Sequence, residues 1–385
     1  MTRTEKLLAE LIALPSVNPA FAPAAEASAR PARLGLAHFG EKNVADFLAA
    51  SAARTGLEIE FQKVLPGRSN LIVRLRPPGK IRRTILLAPH LDTVPADDAQ
   101  FIPRRKNGRL HGRGACDTKG SVAAMFTALC ELASARLRPR ETEIVFAGLI
   151  DEEFDQAGSR ALPASGFSAD LAIVGEPTRL QVVTAHKGIL WFQLATRGRA
   201  AHGATPHLGK NAVHEMARIV DVLETDYAAR LRRHKHPLLG TGTVNVGTIA
   251  GGRQPNIVPD RCTISIDRRT LPGETEAGVR REIAALLKSK KLSAHISSAK
   301  RAPALPLETN GKLPLVQALL RSAGQKKPAG VDYFCDASVL SAAGIPGVVF
   351  GPGDIAQAHT ADEWISLAEL ERGKGLLLKF LKSLP

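Results

Sequence analysis

The chain has 385 residues, which is long for a single domain, and its 44% hydrophobic content is enough for a sizeable core, so we expect two domains. A formal net charge of +15 favours anionic ligands through long-range attraction. However, the basic residues are scattered and aromatic residues make up only 4% of the chain. Solvated surface charge explains this pattern better than nucleic-acid binding, which requires a basic stripe or a recognisable module.

Two features of the sequence predict a cytoplasmic protein. The chain has four cysteines without a CxxC pair, and reduced thiols are the simplest explanation of that usage. Residues 1–14 include Glu5, Lys6 and Glu10 among leucines, so they lack the uninterrupted apolar core of a signal peptide. No later segment approaches the length of a membrane span, and we expect neither a membrane nor a nucleic acid among the partners.

The hydrophobic pattern predicts an alternation of helices and strands in the first half of the chain. Helices are predicted at 4–13, 41–55 and 121–132. Strands are predicted at 57–64, 70–74, 84–87, 143–149 and 171–174. Gly56 stands where the second helix needs a left-handed cap, and the alanine- and proline-rich segment 19–31 is expected to be a loop. These elements predict an α/β domain with a central mixed, mostly parallel sheet flanked by helices.

The middle of the chain has a different order of elements. Strands are predicted at 188–196, 243–249, 262–268 and 293–298, with helices at 211–223 and 274–287. The resulting order βαββαβ is that of a ferredoxin-like unit, so we predict a separate domain over residues 185–302. The first domain then comprises residues 1–184 and resumes over 303–385, with a strand at 347–350 and helices at 313–320 and 367–381.

The first candidate site lies where the strand at 84–87 ends in Pro89, His90 and, two residues later, Asp92. The side chains of His90 and Asp92 would lie on the same side, because strand side chains repeat every second residue. A carboxylate at this spacing can fix the tautomer of the imidazole and leave its other nitrogen free for a metal. A histidine at a strand end is more often an ordinary polar residue, so the interpretation depends on which residues come after the other strands.

Asp117 lies at the end of a glycine-rich loop, directly before the helix at 121–132. It could be the N-cap of that helix, a position where aspartate is common. Alternatively, its two carboxylate oxygens could each bind one of two metal ions, with the neighbouring glycines allowing the backbone to approach closely. The local sequence favours the cap.

Acidic residues come directly after two further strands. Asp151, Glu152 and Glu153 come after the fourth predicted strand, and they would repel one another unless a cation or water compensates their charge. Glu176 comes after the fifth strand. A solvated turn is the alternative for the acidic cluster.

A second histidine would complete such a ligand set. His359 lies in the loop after the strand at 347–350, where a lone histidine would ordinarily be assigned to the surface. Together with the histidine and acidic side chains near the other strand ends, it makes an oxygen- and imidazole-rich set. Such a set suits Zn²⁺, Mn²⁺ or Co²⁺ better than a thiolate site would.

Five ordered motifs resemble those of the M20 family of dinuclear metallohydrolases. They are His90-Leu91-Asp92-Thr93-Val94, Gly114-Ala115-Cys116-Asp117-Thr118-Lys119-Gly120, Asp151-Glu152-Glu153, Gly175-Glu176-Pro177-Thr178 and Ala358-His359-Thr360. The family includes acetylornithine deacetylase, succinyl-diaminopimelate desuccinylase, aminoacylase and glutamate carboxypeptidase, and the resemblance spans nearly the whole chain. It implies two divalent metal ions, with Zn²⁺ first and Co²⁺ or Mn²⁺ as alternatives.

The resemblance also implies a role for each matching position. The implied metal ligands are His90, Asp117, Glu153, Glu176 and His359. Asp117 would bridge the two metals, with His90 and Glu176 on one of them and Glu153 and His359 on the other. Asp92 would orient His90, and Glu152 would be the general base. A cis peptide is also implied between Asp117 and Thr118.

Three segments of the predicted insert resemble family segments that reach the substrate, and the insert itself resembles the lid through which many members dimerise. His202 resembles a histidine that stabilises the oxyanion, often from the partner subunit; capping of the next helix is the alternative. Asn256 would contact the substrate. Arg269 would bind the substrate carboxylate as a bidentate fork, and we prefer it to Arg268 because strand alternation places Arg268 on the other face. A solvated charge is the alternative for either arginine.

The implied function is metal-dependent hydrolysis of the amide of an N-acyl amino acid, as in acetylornithine deacetylase, or of a small peptide. Desuccinylase and glutamate-releasing carboxypeptidase activities are alternatives within the family. The high positive charge suggests an alternative of another class, a catalytically silent relative that binds a polyanion or a protein partner. The intact ligand set argues against that alternative. The expected partners are a small-molecule substrate and a second copy of the chain.

Overall fold

A computed structural model of the chain describes residues 1–22, 39–134, 138–299 and 304–385. The chain divides into two units: Met1–Thr184 with Thr309–Ala329 and Cys335–Pro385, and Ala185–Glu308 with Gly330–Phe334. The predicted insert at 185–302 falls within the second unit. Its predicted boundary, between residues 302 and 303, lies outside the described residues. Most of the predicted loop at 19–31 also lies outside them, and its first residues form the 3-10 helix Pro19–Phe21.

The described residues form eighteen strands and ten α-helices, numbered in chain order. The strands are β1 (Glu58–Leu65), β2 (Arg68–Leu75), β3 (Arg83–Ala88), β4 (Arg104–Lys106), β5 (Arg109–His111), β6 (Thr142–Gly148), β7 (Leu171–Val174), β8 (Val183–His186), β9 (Gly188–Arg197), β10 (Lys235–His236), β11 (Gly240–Thr241), β12 (Thr243–Gly251), β13 (Arg261–Thr270), β14 (His295–Ser298), β15 (Leu307–Glu308), β16 (Ala329–Val331), β17 (Gly347–Val349) and β18 (Trp364–Ser366). The α-helices are α1 (Arg3–Ile12), α2 (Lys42–Ala53), α3 (Lys119–Ser134), α4 (Ala157–Ala164), α5 (Ala212–Val222), α6 (Ala228–Leu231), α7 (Glu276–Ser289), α8 (Pro314–Ala323), α9 (Ala337–Ala342) and α10 (Leu367–Lys382). A π-helical turn, Leu223–Tyr227, joins α5 to α6.

The first unit is built on a mixed sheet in which six strands have the order β1-β2-β6-β3-β7-β17. The strands β6, β3, β7 and β17 pair in parallel at its centre, whereas β2 pairs antiparallel with both β1 and β6. The strands β6 and β7 are buried along their whole length, as expected of parallel strands covered on both faces. The α/β class with a mixed central sheet is therefore confirmed, and the parallel pairing is concentrated at its centre.

This topology brings the candidate residues to one edge of the sheet. The strands β3, β6, β7 and β17 run parallel, so their carboxyl ends meet on the same side, where α/β proteins gather their functional groups. The segments after these strands carry His90, Asp151, Glu176 and His359. The helix α3 and its preceding loop lie in the same unit, and α3 is buried over nearly its whole length.

The second unit contains the predicted ferredoxin-like arrangement. Its antiparallel sheet has the order β12-β13-β9-β14, with α5 after β9 and α7 after β13. Side chains alternate between buried and half-buried along β13. The buried side chains of the sheet form one hydrophobic cluster with apolar residues of α5 and α7, so one face of the sheet is covered by these helices. The βαββαβ order predicted from the sequence is confirmed.

Several smaller elements have no counterpart among the predicted ones. The strands β18, β5 and β4 form a separate three-stranded sheet, and α4 and α9 are short helices beside the central sheet. All four cysteines are buried and free. Among the described residues, none of the helices has the length and apolar character needed to cross a membrane.

Candidate metal centre

Five side chains expected to bind metal converge at the carboxyl ends of the central strands. His90 Nε2 lies 3.1 Å from Asp117 Oδ1 and 3.8 Å from Glu176 Oε1. His359 Nε2 lies 3.3 Å from Asp117 Oδ2 and 3.2 Å from Glu153 Oε2. The two carboxylate oxygens of Asp117 therefore face two different histidines, each accompanied by one glutamate. This is the arrangement of a bridging carboxylate between two ligand pairs.

Two buried oxygens of this cluster lack a hydrogen-bond partner among the described residues. They are Glu153 Oε1 and Glu176 Oε1. A buried carboxylate oxygen without a partner is costly, and a cation beside each glutamate would satisfy these oxygens. Ligand atoms of His90, Asp117 and Glu153 also lie within 4.8 Å of one another, so the group that could hold a metal spans both ligand pairs around Asp117. The residues present therefore fit a site for divalent metal ions.

The electrostatics of the cluster result from the burial of many acids together. Burial raises the pKa of Glu176 well above its ordinary value, and the carboxylates of Asp117, Asp336 and Glu153 raise it further against the opposing effect of His90. Burial likewise raises the pKa of Glu153. For Asp117, burial is outweighed by hydrogen bonds from His359 and His90, which hold its pKa below the ordinary value. Positive charge is thus what the cluster requires to keep its acids ionised.

Asp117 occupies a loop that is closely fitted around it. The peptide between Asp117 and Thr118 is cis, as the family resemblance implied, and Thr118 Oγ1 donates to the carbonyl oxygen of Gly175 at 2.5 Å. Gly114 has a φ of +82°, a conformation that favours glycine, and a Cβ there would lie 2.8 Å from Lys119 Cδ. Both carboxylate oxygens of Asp117 face histidines, which favours the predicted bridging role over an N-cap of α3; that role stays a prediction.

Asp92 is fully buried and links His90 to the acidic turn after β6. Its carboxylate accepts hydrogen bonds from the backbone N–H groups of Glu152 and Glu153, both at 3.1 Å, and from Asn18 Nδ2 at 2.7 Å. His90 Nδ1 lies 3.0 Å from the backbone oxygen of Asp92 and 3.5 Å from its carboxylate. The shortest contact that orients His90 is therefore to the carbonyl of Asp92, and the carboxylate holds the backbone of the two glutamates.

The turn that carries Glu152 is held through Asp151 by residues outside the five motifs. Asp151 has a φ of +70°, which costs free energy for a residue other than glycine. Its carboxylate accepts from Asn18 Nδ2 and from Arg68 Nη1, each at 3.0 Å, and Arg68 also binds Glu41. These contacts fix the backbone immediately before Glu152. Periodicity could not have revealed such residues, because they come from separate elements.

A further buried carboxyl, Asp336, was also missed. Its Oδ1 accepts from Ser159 Oγ at 2.6 Å and Gln156 Nε2 at 3.2 Å, whereas Oδ2 has no hydrogen-bond partner among the described residues. Burial raises the pKa of Asp336 to about 6. The charge of Asp336 in turn raises the pKa of Glu152, whose largest cause of elevation is its own burial.

The other three candidates, His202, Asn256 and Arg269, belong to the second unit. Within it, the exposed segments of His202 and Asn256 are neighbours, since the N–H of Gly203 donates to the carbonyl of Asn256 at 2.7 Å. Arg269 is half-buried and its Nε lies 2.9 Å from Asp267 Oδ1. Arg268 is fully buried, on the opposite face of β13 as the alternation predicted. Their catalytic and substrate-binding roles stay predictions.

Loading the metal-free protein with Zn²⁺ at pH 8 is expected to release protons, partly from His359. Hydrogen bonds to Asp117 and Glu153 raise the pKa of His359 from 6.5 to about 10, whereas a metal ligand must be the neutral imidazole. Calorimetric titration in buffers of different ionisation enthalpy measures the release, and His359→Gln should release fewer protons. Equal release by both proteins would contradict the placement of His359 on a metal.

The same raised pKa makes the stability of the metal-free protein depend on pH. The folded pKa of His359, about 10, lies above its ordinary value of 6.5, so the folded state binds the proton more tightly than the unfolded state. The stabilisation is therefore complete below pH 6.5 and is lost as the pH rises through 10.

Comparison with known proteins identifies relatives over most of the chain. Residues 86–383 match a sequence model described as peptidase family M20/M25/M40. The chain is 31% identical over 356 residues to an acetylornithine deacetylase from Myxococcus xanthus, covering 87% of this chain and 90% of the relative. It shares its fold with an aminopeptidase from Bacillus cereus at a TM-score of 0.78 and 22% identity, covering 99% of this chain and 97% of that one. A dinuclear metal binding peptidase of family M20 from Bacillus subtilis has the same fold, with a TM-score of 0.70, 14% identity and the same coverage of the two chains.

Proposed function

Because the chain belongs to peptidase family M20/M25/M40 and is a metal-dependent hydrolase of amide or peptide bonds, we propose that it removes the acyl group from an N-acyl amino acid. Acetylornithine or a similar N-acetyl amino acid is the first substrate to test, because a relative at 31% identity is named acetylornithine deacetylase. One observation carries the proposal: the two oxygens of Asp117 face His90 and His359 at 3.1 and 3.3 Å.

We propose that two divalent metals, Zn²⁺ or else Co²⁺ or Mn²⁺, are held at this site. His90, Asp117 and Glu176 would hold one metal, and Asp117, Glu153 and His359 would hold the other. The donor set of imidazoles and carboxylates suits these ions. When bound, such a pair of ions supplies a water that loses its proton near neutral pH, and it polarises the carbonyl under attack.

Glu152 is proposed as the general base. Its backbone N–H is fixed by Asp92 at 3.1 Å, and its carboxyl is near enough to His90, Glu176 and Glu153 to be influenced by their charges without being assigned to either ion. Burial raises the pKa of Glu152 well above its ordinary value, and the negative charges of Glu176, Asp336 and Glu153 raise it further, whereas His90 lowers it. A raised pKa suits a carboxylate that must accept a proton. It would take the proton of the attacking water and deliver it to the leaving amine as the tetrahedral intermediate collapses.

The second unit would supply the contacts to the substrate. His202 is proposed to donate to the oxyanion, Asn256 to contact the substrate, and Arg269 to bind its carboxylate with two parallel hydrogen bonds. We propose that the chain forms a homodimer through this unit, with a small-molecule N-acyl amino acid or peptide as substrate. The cytoplasmic location remains a prediction.

Removal of the metals tests the proposal. Treatment of the purified chain with a chelator is expected to abolish hydrolysis of N-acetylornithine, and added Zn²⁺ or Co²⁺ to restore it. A parallel panel of N-acetyl amino acids, N-succinyl amino acids and dipeptides separates the deacetylase from the desuccinylase and peptidase alternatives. Hydrolysis that survives exhaustive metal removal would contradict the proposal. A chain without bound metal but with salt-dependent affinity for a polyanion would support the silent relative instead.

A further inference from the structure

We propose that Glu363 and Arg113 are a positioning pair that aligns Asp117 and His359, and thereby sets the affinity for the metal assigned to Asp117, Glu153 and His359. This inference rests on the proposed function for the identity of the ligands. Neither residue is assigned to a metal. Their contacts nevertheless join the two segments that carry the bridging aspartate and the more exposed histidine.

Glu363 holds the backbone of the loop that ends in Asp117. One oxygen, Oε1, accepts from the N–H groups of Cys116 at 2.8 Å and Asp117 at 2.9 Å. The other, Oε2, accepts from the N–H of Gly114 at 2.9 Å and from Arg113 Nη1 at 2.7 Å. The residue is only 1% exposed, so these bonds are shielded from water. A carboxylate, with two acceptor oxygens, is the side chain that matches this set of converging donors.

Arg113 extends the same network to the segment of His359. While Nη1 of Arg113 binds Glu363, its Nη2 donates to the carbonyl of Thr360 at 3.2 Å. Thr360 comes directly after His359. Gln100 Nε2 donates to the same carbonyl at 3.3 Å. His359 has a φ of +61°, a conformation that a residue other than glycine keeps only where its surroundings impose it. Arg113 is 4% exposed and holds the carbonyl of the residue that follows His359.

The positions of the pair in the chain explain why it acts on both segments. Arg113 belongs to the loop that supplies Asp117, and Glu363 lies shortly after His359 in the chain. Each member of the pair thus lies on one ligand segment and binds the other. The metal that shares Asp117, Glu153 and His359 depends on the spacing of these segments. The metal on His90 and Glu176 depends on them only through Asp117.

The substitution Glu363→Gln should therefore weaken one metal site more than the other. A glutamine places an amide NH₂ against backbone N–H donors, so it cannot accept from all of them. Loss of a partner that orients metal ligands typically lowers metal affinity by about 10–100-fold. We expect the Kd of one Co²⁺ equivalent to rise by about 10–100-fold and that of the other to change much less.

The test is a Co²⁺ titration of the chelator-treated full chain, monitored by calorimetry and by the visible absorption of the bound ion. The variants are Glu363→Gln and Arg113→Lys, since a lysine cannot bind Glu363 and the Thr360 carbonyl as a fork does. The matched control is Asp362→Asn, the neighbouring carboxylate, whose side chain is 78% exposed and pairs with His111. Circular dichroism and thermal unfolding identify any variant that fails to fold.

Selective weakening of one Co²⁺ equivalent, with an altered cobalt spectrum in both variants and neither change in the control, is the expected result. If a folded Glu363→Gln or Arg113→Lys chain binds two Co²⁺ ions with unchanged affinities and spectrum, the proposal is overturned. If only the lysine variant folds, its titration decides. If the wild-type chain binds two Co²⁺ ions but hydrolyses no N-acyl amino acid, the proposed substrate is wrong and the proposal for Glu363 and Arg113 still stands. A wild-type chain that binds fewer than two ions would overturn the pair as well.

Discussion

Replacement of Glu152 with glutamine is expected to lower kcat by about 10²–10⁴-fold, the usual contribution of a positioned general base. Glutamine has nearly the same size and keeps the backbone N–H that Asp92 accepts at 3.1 Å, but it cannot take a proton from water. Since Glu152 is not assigned to either metal, both ions should remain bound. The measurement is kcat and KM for an N-acetyl amino acid, together with the Co²⁺ stoichiometry of the variant.

The changes in kcat, KM and Co²⁺ stoichiometry together distinguish a general base from a structural residue. A lost base lowers kcat while KM and the two Co²⁺ equivalents stay close to wild type. Asp155→Asn is the matched control, because it removes a carboxylate of the same turn that is outside the predicted ligand set. If Glu152→Gln retains most of its activity, another group accepts the proton. If it loses activity together with metal, Glu152 is a ligand and the assignment to Glu153 must be revised.

The convergence of the candidate side chains could be predicted from one property of α/β topology, whereas the choice of Glu153 among three consecutive acids came from the family resemblance. His90, Glu153 and Glu176 each come after a buried strand, and the carboxyl ends of parallel strands meet at one edge whatever the intervening sequence. The same reasoning placed Arg268 and Arg269 on opposite faces of β13, because strand side chains alternate.

Asp117 shows where the pattern becomes ambiguous. An acid before a helix is compatible with an N-cap and with a ligand, and the local sequence favours the cap. Only the histidines from two other segments, within 3.1 and 3.3 Å of its oxygens, distinguish the two.

The residues that support the cluster could not be predicted in this way. Asn18, Arg68, Asp336 and Glu363 act through hydrogen bonds to residues far away in the sequence, for example from Asn18 to Asp92 and Asp151. Buried polar groups must find partners, but the sequence does not identify which ones.

The sheet of β4, β5 and β18 could not be predicted from the sequence either. Its strands are three residues long, too short for a periodic signal, and β18 pairs with a strand from the first half of the chain.

The most damaging single substitution at the site is expected to be Asp117→Asn. An amide offers one acceptor oxygen and one NH₂ group, so it can bind one metal and must turn a donor towards the other. Metal stabilisation of developing charge is worth several kcal/mol, and each 1.36 kcal/mol is tenfold in rate. Loss of one ion should therefore lower kcat/KM by roughly 10³-fold or more. The Co²⁺ stoichiometry should fall from two to one or fewer.

This result would separate the two interpretations of Asp117 that the sequence alone allows. A residue that only caps α3 can be replaced by asparagine at almost no cost, since asparagine is as good an N-cap as aspartate. A bridging ligand cannot, because both of its oxygens are needed. Asp362→Asn, an exposed carboxylate in the segment after His359, should leave metal content and rate unchanged. If Asp117→Asn retained two Co²⁺ ions and a wild-type rate, the contacts of Asp117 with His90 and His359 would not be those of a metal bridge, and the N-cap interpretation would be favoured.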